Sequence, residues 1–254
     1  MHTSSPTTLR TDAAAPALIV ELVGPSGSGK TTLAQAIVSA LGPARLAASS
    51  RPAEAGATGR FRLPPAAARA AKIARVFPRI GDGTQEEDRA ARLLALLPPT
   101  GPLWRLRYRR YLTELSKRLA RERTAGGIAV FDQGFVTAVG TLASFSRTID
   151  RETLARALEI APKPDLVIRI ETPRETVAAR LHDRLGAQSA AERMFELGIP
   201  TTLRQIDVFE ALDPLLDHCG IPVMRVACPD RASLGPATEA VRARIAGFGR
   251  EVEA

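Results

Sequence analysis

Hydrophobic positions along the chain fall into short, continuous apolar runs separated by much longer amphipathic ones. Five runs read as strands: Ala17–Val23, a weak one near Arg45–Ala48, Ile128–Phe131, Leu166–Ile170 and Val223–Ala227. Such runs, nearly unbroken by polar residues, predict strands buried on both faces, as in a parallel sheet covered by helices. The intervening segments carry helix signals. Thr172-Pro173-Arg174-Glu175 has the form of a capping box with proline in the first turn, opening a helix to about Leu185. Pro164-Asp165 marks the turn into the fourth strand. A long run from Thr202 to His218 contains Pro214, a potential kink, and a last helix is expected over about Leu234–Ala246. The predicted fold is therefore α/β, a three-layer arrangement with a five-stranded parallel sheet. The loops at the carboxyl ends of its strands should build the site.

The stretch joining the first strand to its helix is Gly24-Pro25-Ser26-Gly27-Ser28-Gly29-Lys30-Thr31. This is a complete G-x-x-x-x-G-K-[ST] phosphate-binding loop in its required strand–loop–helix setting. Its glycines let backbone N–H groups turn toward phosphate oxygens, and the helix N-terminus adds positive potential. Gly24, Ser26, Gly27, Ser28, Gly29, Lys30, Thr31 and Thr32 are the expected nucleotide-binding residues. Lys30 should reach the β- and γ-phosphates, and the Thr31 hydroxyl should bind Mg²⁺. A second anchor is Asp132, which follows the third strand in Val130-Phe131-Asp132-Gln133-Gly134. A carboxylate there can hold Mg²⁺ or act as general base toward an acceptor hydroxyl, although such residues also serve as plain helix caps. Arg180 and Arg184 are one turn apart, so they share a face of the helix after the fourth strand. They are either charge-neutralising groups for a transferring phosphoryl or an ordinary solvated basic face. Arg174, Arg193 and Arg204 lie around them, Gly186 is the expected helix stop, and His182 is expected at the surface without a role.

The order of these features resembles the thymidylate kinase-like and nucleoside/nucleotide kinase-like P-loop phosphotransferases. The resemblance covers most of residues 17–247 and implies ATP and Mg²⁺ as cofactors. It implies that Gly24–Thr31 is the ATP loop and that Arg180 and Arg184 are lid arginines. Cys228-Pro229-Asp230 then sits where a loop approaches adenine, which brings Pro229 into the nucleotide site. Ser50–Gly56 is faintly similar to the substrate segment after the second strand. Two departures bear on the acceptor. Gln133 replaces an arginine that would bind an acceptor phosphate, and the second strand lacks a clear terminal carboxylate unless Glu54 serves.

Composition adds fewer constraints. The chain has 254 residues, 45% apolar and only 4% aromatic, so the core must be Leu, Val, Ile and Ala. Its net charge is +8. Lysine occurs only at positions 30, 72, 117 and 163, so the charge is arginine, which a coding bias toward Arg, Ala, Pro and Gly also explains. Bias does not explain the local concentration between Phe61 and Arg123, where 15 Lys and Arg face six Asp and Glu. This basic segment, broken at Pro78, Pro98-Pro99 and Pro102, reads as a helical insertion with solvated arginines or as a lid or docking surface for an anionic partner. Cys219 and Cys228 have neither metal nor disulfide spacing, and Cys228 should be buried. Residues 1–16 lack an apolar signal core and read as a disordered tail, and no stretch is long enough to cross a bilayer, so a cytoplasmic location is expected.

These residues point to a single kinase-like domain over 17–249, with the insertion at about 61–123 and a lid at about 180–204. The leading function is an ATP-dependent small-molecule kinase whose acceptor is a nucleoside, nucleotide, sugar or other metabolite. A regulatory or assembly NTPase with slow hydrolysis, and a nucleic-acid-linked NTPase, are the alternatives. No nucleic-acid module is visible, and a homodimer is one assembly left open.

Overall fold

The computed structural model describes residues 17–42, 45–47, 85–146, 150–187, 199–228 and 230–252. Strands β1 (Leu18–Val23), β2 (Arg45–Ala47), β3 (Ile128–Phe131), β4 (Leu166–Glu171) and β5 (Val223–Ala227) form one sheet in the order β2-β3-β1-β4-β5. Every pairing is parallel. The predicted strands thus appear within one residue of their expected ends. β1 lies at the centre, with Val20 opposite Val130 on one side and Leu166 on the other. The carboxyl ends of β1 and β3 are therefore neighbours, which brings the phosphate loop beside Asp132.

Among the described residues eight helices cover the sheet: α1 (Lys30–Leu41), α2 (Gln85–Leu96), α3 (Pro102–Ala125), α4 (Phe135–Ala143), α5 (Arg151–Ile160), α6 (Arg174–Ala187), α7 (Ile199–His218) and α8 (Leu234–Val252). Alternation along β1 divides them into two layers. Val20 and Leu22 pack with Leu33 and Ile37 of α1 and with Val241 and Ile245 of α8. Ile19 and Val23 face the other way, into a core shared by Leu93, Leu112, Leu115, Val136, Leu142, Leu154, Phe209 and Leu212 of α2, α3, α4, α5 and α7. Each fully buried Leu or Phe there contributes about 1.5–3 kcal/mol relative to an exposed one.

Several boundaries differ from expectation for identifiable reasons. α6 runs through Gly186 to Ala187, since helical glycine costs only about 1 kcal/mol. Pro214 lies inside α7, which ends at His218 as expected and begins three residues earlier, at Ile199. α8 extends to Val252, beyond the expected Ala246. The described part of the basic segment is the helix pair α2 and α3, with Pro102 in the first turn of α3. Its remainder, the tail 1–16, Ser50–Gly56 with Glu54, Arg193 and Pro229 lie outside the described residues. One charge in the sheet is buried in an ion pair. Arg169 of β4 meets Asp213 of α7 at 3.4 Å and stacks on Phe209 with 5.4 Å between guanidinium and ring. Burial lowers its affinity for the proton, and the neighbouring carboxylates, Asp213 first, raise it.

Candidate functional site

The phosphate loop leaves β1 at Val23 and enters α1 at Lys30. Gly29 caps the helix with φ 93°, a backbone state that L side chains rarely adopt, and no side chain caps the helix. The helix dipole favours an anion at this end of α1. Lys30 is buried at 8% exposure, and its Nζ donates to the carbonyls of Gly24 and Pro25 at 2.8 Å each. The cation is therefore folded over its own loop. Ser28 is buried, while Thr31 and Thr32 are exposed at the start of the helix.

Asp132 sits directly beyond β3 and is buried at 7% exposure. Its Oδ2 accepts the Thr31 hydroxyl at 3.2 Å, across 101 residues of sequence. This brings together two oxygen donors of the kind that Mg²⁺ takes, with the phosphate loop on one side. Among the described residues no group of three or more His, Cys, Asp or Glu side chains could hold a metal ion.

The loop Asp132-Gln133-Gly134 is held by a residue that sequence reasoning passed over, Glu21 of β1. Its side chain is 2% exposed and points into the core shared with α3 and α4. Oε1 accepts the N–H groups of Gly134 at 3.2 Å and Thr137 at 2.7 Å, and Oε2 that of Val136 at 3.2 Å. The carboxylate is thus the N-terminal cap of α4, supplied from another strand. Burial pushes its pKa up to about 7 against the opposing pull of those N–H donors. The arrangement also dictates Gly134. A Cβ there would lie 2.3 Å from Glu21 Oε2, a separation no side chain tolerates. The one signal for Glu21 in the sequence is its charge within an otherwise apolar strand. Tyr111 of α3 donates to the Gln133 carbonyl at 3.5 Å. Burial first, then neighbouring Tyr108, Glu21 and Asp132, raise the Tyr111 pKa.

The arginines divide. Arg180 of α6 reaches the phosphate loop, its Nη1 donating to the Gly27 carbonyl at 3.0 Å. It also helps hold the Asp230 carboxyl, after β5, below its usual range, behind the larger effect of Ser233 N–H and hydroxyl bonds. The Arg184 side chain lies outside the described residues. Arg174 pairs instead with Asp207, joining α6 to α7, and Arg204 of α7 donates to the Ser146 carbonyl beyond α4 at 2.7 Å. His182 is exposed on α6. Thr172, expected as a helix cap, donates its hydroxyl to the Ser28 carbonyl at 3.3 Å and so joins β4 to the loop. Cys228 is buried as expected, at 6% exposure.

The basic helix α3 keeps Leu112, Leu115, Tyr108 and Tyr111 on the core and leaves Arg105, Arg107, Arg109 and Arg110 exposed. Arg107 lies 4.8 Å from the centre of the Trp104 ring. A cleft of about 270 Å³ between α2 and α3 is lined by Ala91, Leu94, Pro102, Arg105, Leu106 and Arg109. Among the described residues no helix is long and apolar enough to cross a membrane.

The family model described as AAA domain matches residues 19–212. No curated protein matches the chain. Among solved structures it is similar to thymidylate kinase from Candida albicans, with 14% identity and a TM-score of 0.51, over 93% of this chain and 94% of that one. It is also similar to deoxyadenosine kinase from M. mycoides, with 16% identity and a TM-score of 0.52, over 90% and 99% of the two chains. At such identities the likeness is one of fold, and the fold is that of nucleotide-kinase-like P-loop proteins.

Proposed function

The chain belongs to the AAA domain family, and from that premise we propose that it is an ATP-dependent kinase acting on a small-molecule hydroxyl or phosphate acceptor. The observation that carries the reading is the 3.2 Å contact between Thr31 of the phosphate loop and Asp132 at the end of β3. It supports a role for this carboxylate beside the terminal phosphoryl group of a nucleotide held by the loop.

ATP occupies the loop from Gly24 to Thr32, its phosphates against the start of α1. Lys30 exchanges the Gly24 and Pro25 carbonyls for phosphate oxygens. Thr31 and Asp132 are the residues that would hold Mg²⁺, which when bound offsets the charge between phosphate groups. Asp132 also faces the acceptor and takes up its hydroxyl proton. The oxygen so freed bonds the γ-phosphorus while the bond to the β–γ bridging oxygen breaks, and ADP leaves. Arg180 and Arg184 add positive charge where it develops. Little covalent chemistry is asked of the protein, because positioning and electrostatics supply most of the rate in phosphoryl transfer. Gln133, standing where the resembled kinases carry arginine, argues for an acceptor bound through something other than a phosphate.

Labelled ATP·Mg²⁺ incubated with pools of nucleosides, sugars and other hydroxylated metabolites tests the proposal. A labelled, phosphorylated product is expected. Slow release of phosphate with no product from any pool refutes the kinase in favour of a regulatory NTPase. Lys30→Ala is expected to lower turnover by about 10²–10³-fold, as for loss of one charge-stabilising donor. Unchanged turnover in that variant would contradict the loop assignment.

A further inference from the structure

The phosphate loop is also held by a side chain from α7. Gln205 of α7, 3% exposed, accepts the Ser26 N–H on its Oε1 at 3.1 Å, from 179 residues away. Its Nε2 donates to the Thr141 hydroxyl of α4 at 3.2 Å. Thr141 donates in turn to the Thr137 carbonyl at 2.8 Å, and the Thr137 N–H is one of the three bound by Glu21. One buried amide therefore spans the gap between the loop and the helix that begins immediately after Asp132-Gln133-Gly134.

Packing fixes this amide in place. One turn beyond Gln205, Phe209 presses onto Gly140, where an added Cβ would lie 2.3 Å from the ring. Gly140 precedes Thr141, so the close approach of α4 and α7 brings Gln205 and Thr141 together. A buried amide whose acceptor and donor ends are both engaged has one orientation available, unlike a hydroxyl, which rotates to suit its partners. Both ends of this one are committed to elements of the proposed site.

We infer that Gln205 is a positioning residue that sets the Ser26 end of the phosphate loop against helix α4, and so aligns the terminal phosphoryl group with the Asp132 side of the site. The inference rests on the kinase reading for what is being aligned, but not for the contact itself. Gln205 acts through Ser26 and Thr141 and touches no reacting atom. Its loss should leave nucleotide held by Lys30 and the start of α1, while the loop's far end drifts. Misplacement on the order of 1 Å costs up to about 10²-fold in rate.

The test compares wild type, Gln205→Ala, Gln205→Glu, Thr141→Val and the Gln205→Ala/Thr141→Val pair, with γ-phosphate loss from labelled ATP followed both to acceptor and to water. Gln205→Ala should lower turnover by about 10- to 100-fold with the KM for ATP within about threefold. Gln205→Glu keeps the acceptor for Ser26 and should recover part of the rate. Thr141→Val, which removes one hydroxyl and retains the fold, should lose less than Gln205→Ala. The double variant should be no slower than Gln205→Ala alone, because Thr141 works through Gln205. A purely structural role would lower the melting temperature and leave the kcat-to-KM split and this non-additivity absent. Wild-type turnover in Gln205→Ala, or independent losses in the pair, overturns the inference. If wild type releases phosphate to water but to no acceptor, the kinase reading fails while Gln205 is still judged on hydrolysis. A wild-type protein that releases no γ-phosphate overturns both.

Discussion

The two halves of the site are built in opposite ways. The nucleotide half is one contiguous piece of chain, in which Gly24 to Thr31 supply the turn, the cation, the hydroxyl and the helix start. The proposed acceptor half is assembled from remote segments. Asp132 comes from β3, its loop is capped by Glu21 of β1, Tyr111 of α3 lies against Gln133, and Gln205 of α7 ties the assembly back to the loop. A contiguous piece keeps its geometry by local rules of glycine, helix start and spacing. An assembled piece keeps its geometry only while the whole core is intact, so its substitutions should act on alignment and stability more than on binding.

Asp132→Asn breaks the comparison hardest. It keeps the shape and the Thr31 contact but removes the charge and the proton acceptor. Turnover should fall by about 10²–10⁴-fold, the usual contribution of a positioned general base. ATP affinity, measured by titration calorimetry without Mg²⁺, should change by less than about tenfold, since the phosphate loop itself keeps its sequence. If affinity and turnover fall together, the two halves are not separable and Asp132 belongs to nucleotide binding alone. Full activity would remove it from the site.

The same contrast governs what could be read from the sequence. The phosphate loop and the five strands were legible because each rests on neighbouring residues: a spacing of glycines, a short apolar run. Asp132 was legible because it ends such a run. Glu21 carried a weak signal, a charge in an apolar strand, but its purpose lies 113 to 116 residues away in the N–H groups of Gly134, Val136 and Thr137. Gln205 carried no signal, being an ordinary polar residue in a long helix. Its role appears only once Gly140 and Phe209 bring α4 and α7 together. Some side chains also have distant partners that no local rule supplies. Thr172 satisfied a capping pattern and serves the Ser28 carbonyl, and Arg174 looked like a site arginine and pairs with Asp207.

Glu21 offers a smaller and more specific break. Its folded pKa, about 7, stands above the ordinary 4.5, so folding favours the protonated carboxyl. The stability this contributes is complete below pH 4.5 and is lost as pH rises through about 7, after which the term is flat. Integrated over that window it amounts to about 3 kcal/mol. Glu21→Gln, which cannot ionise, should lack this decline. Urea unfolding of both proteins from pH 4.5 to 8.5 should therefore show the wild type losing ground to the variant as pH rises, with ATP affinity unaffected. Parallel stability curves would mean that the carboxylate titrates as it does in the unfolded chain, and that the N–H groups of α4 fully offset its burial.

The smallest effect falls on a charged group that reaches the contiguous half from outside it. Arg180 donates to the Gly27 carbonyl from α6 and is half-buried, so its charge is partly screened. Arg180→Ala should weaken ATP binding by about tenfold, equivalent to about 1.4 kcal/mol. Arg180→Lys keeps the charge without the planar fork and should recover only part of that loss. If lysine restores affinity completely, Arg180 contributes a field rather than a placed hydrogen bond, and the loop is as self-contained as its sequence implies. If it restores none, the carbonyl contact at Gly27 matters, and the nucleotide half too depends on a residue 153 positions away.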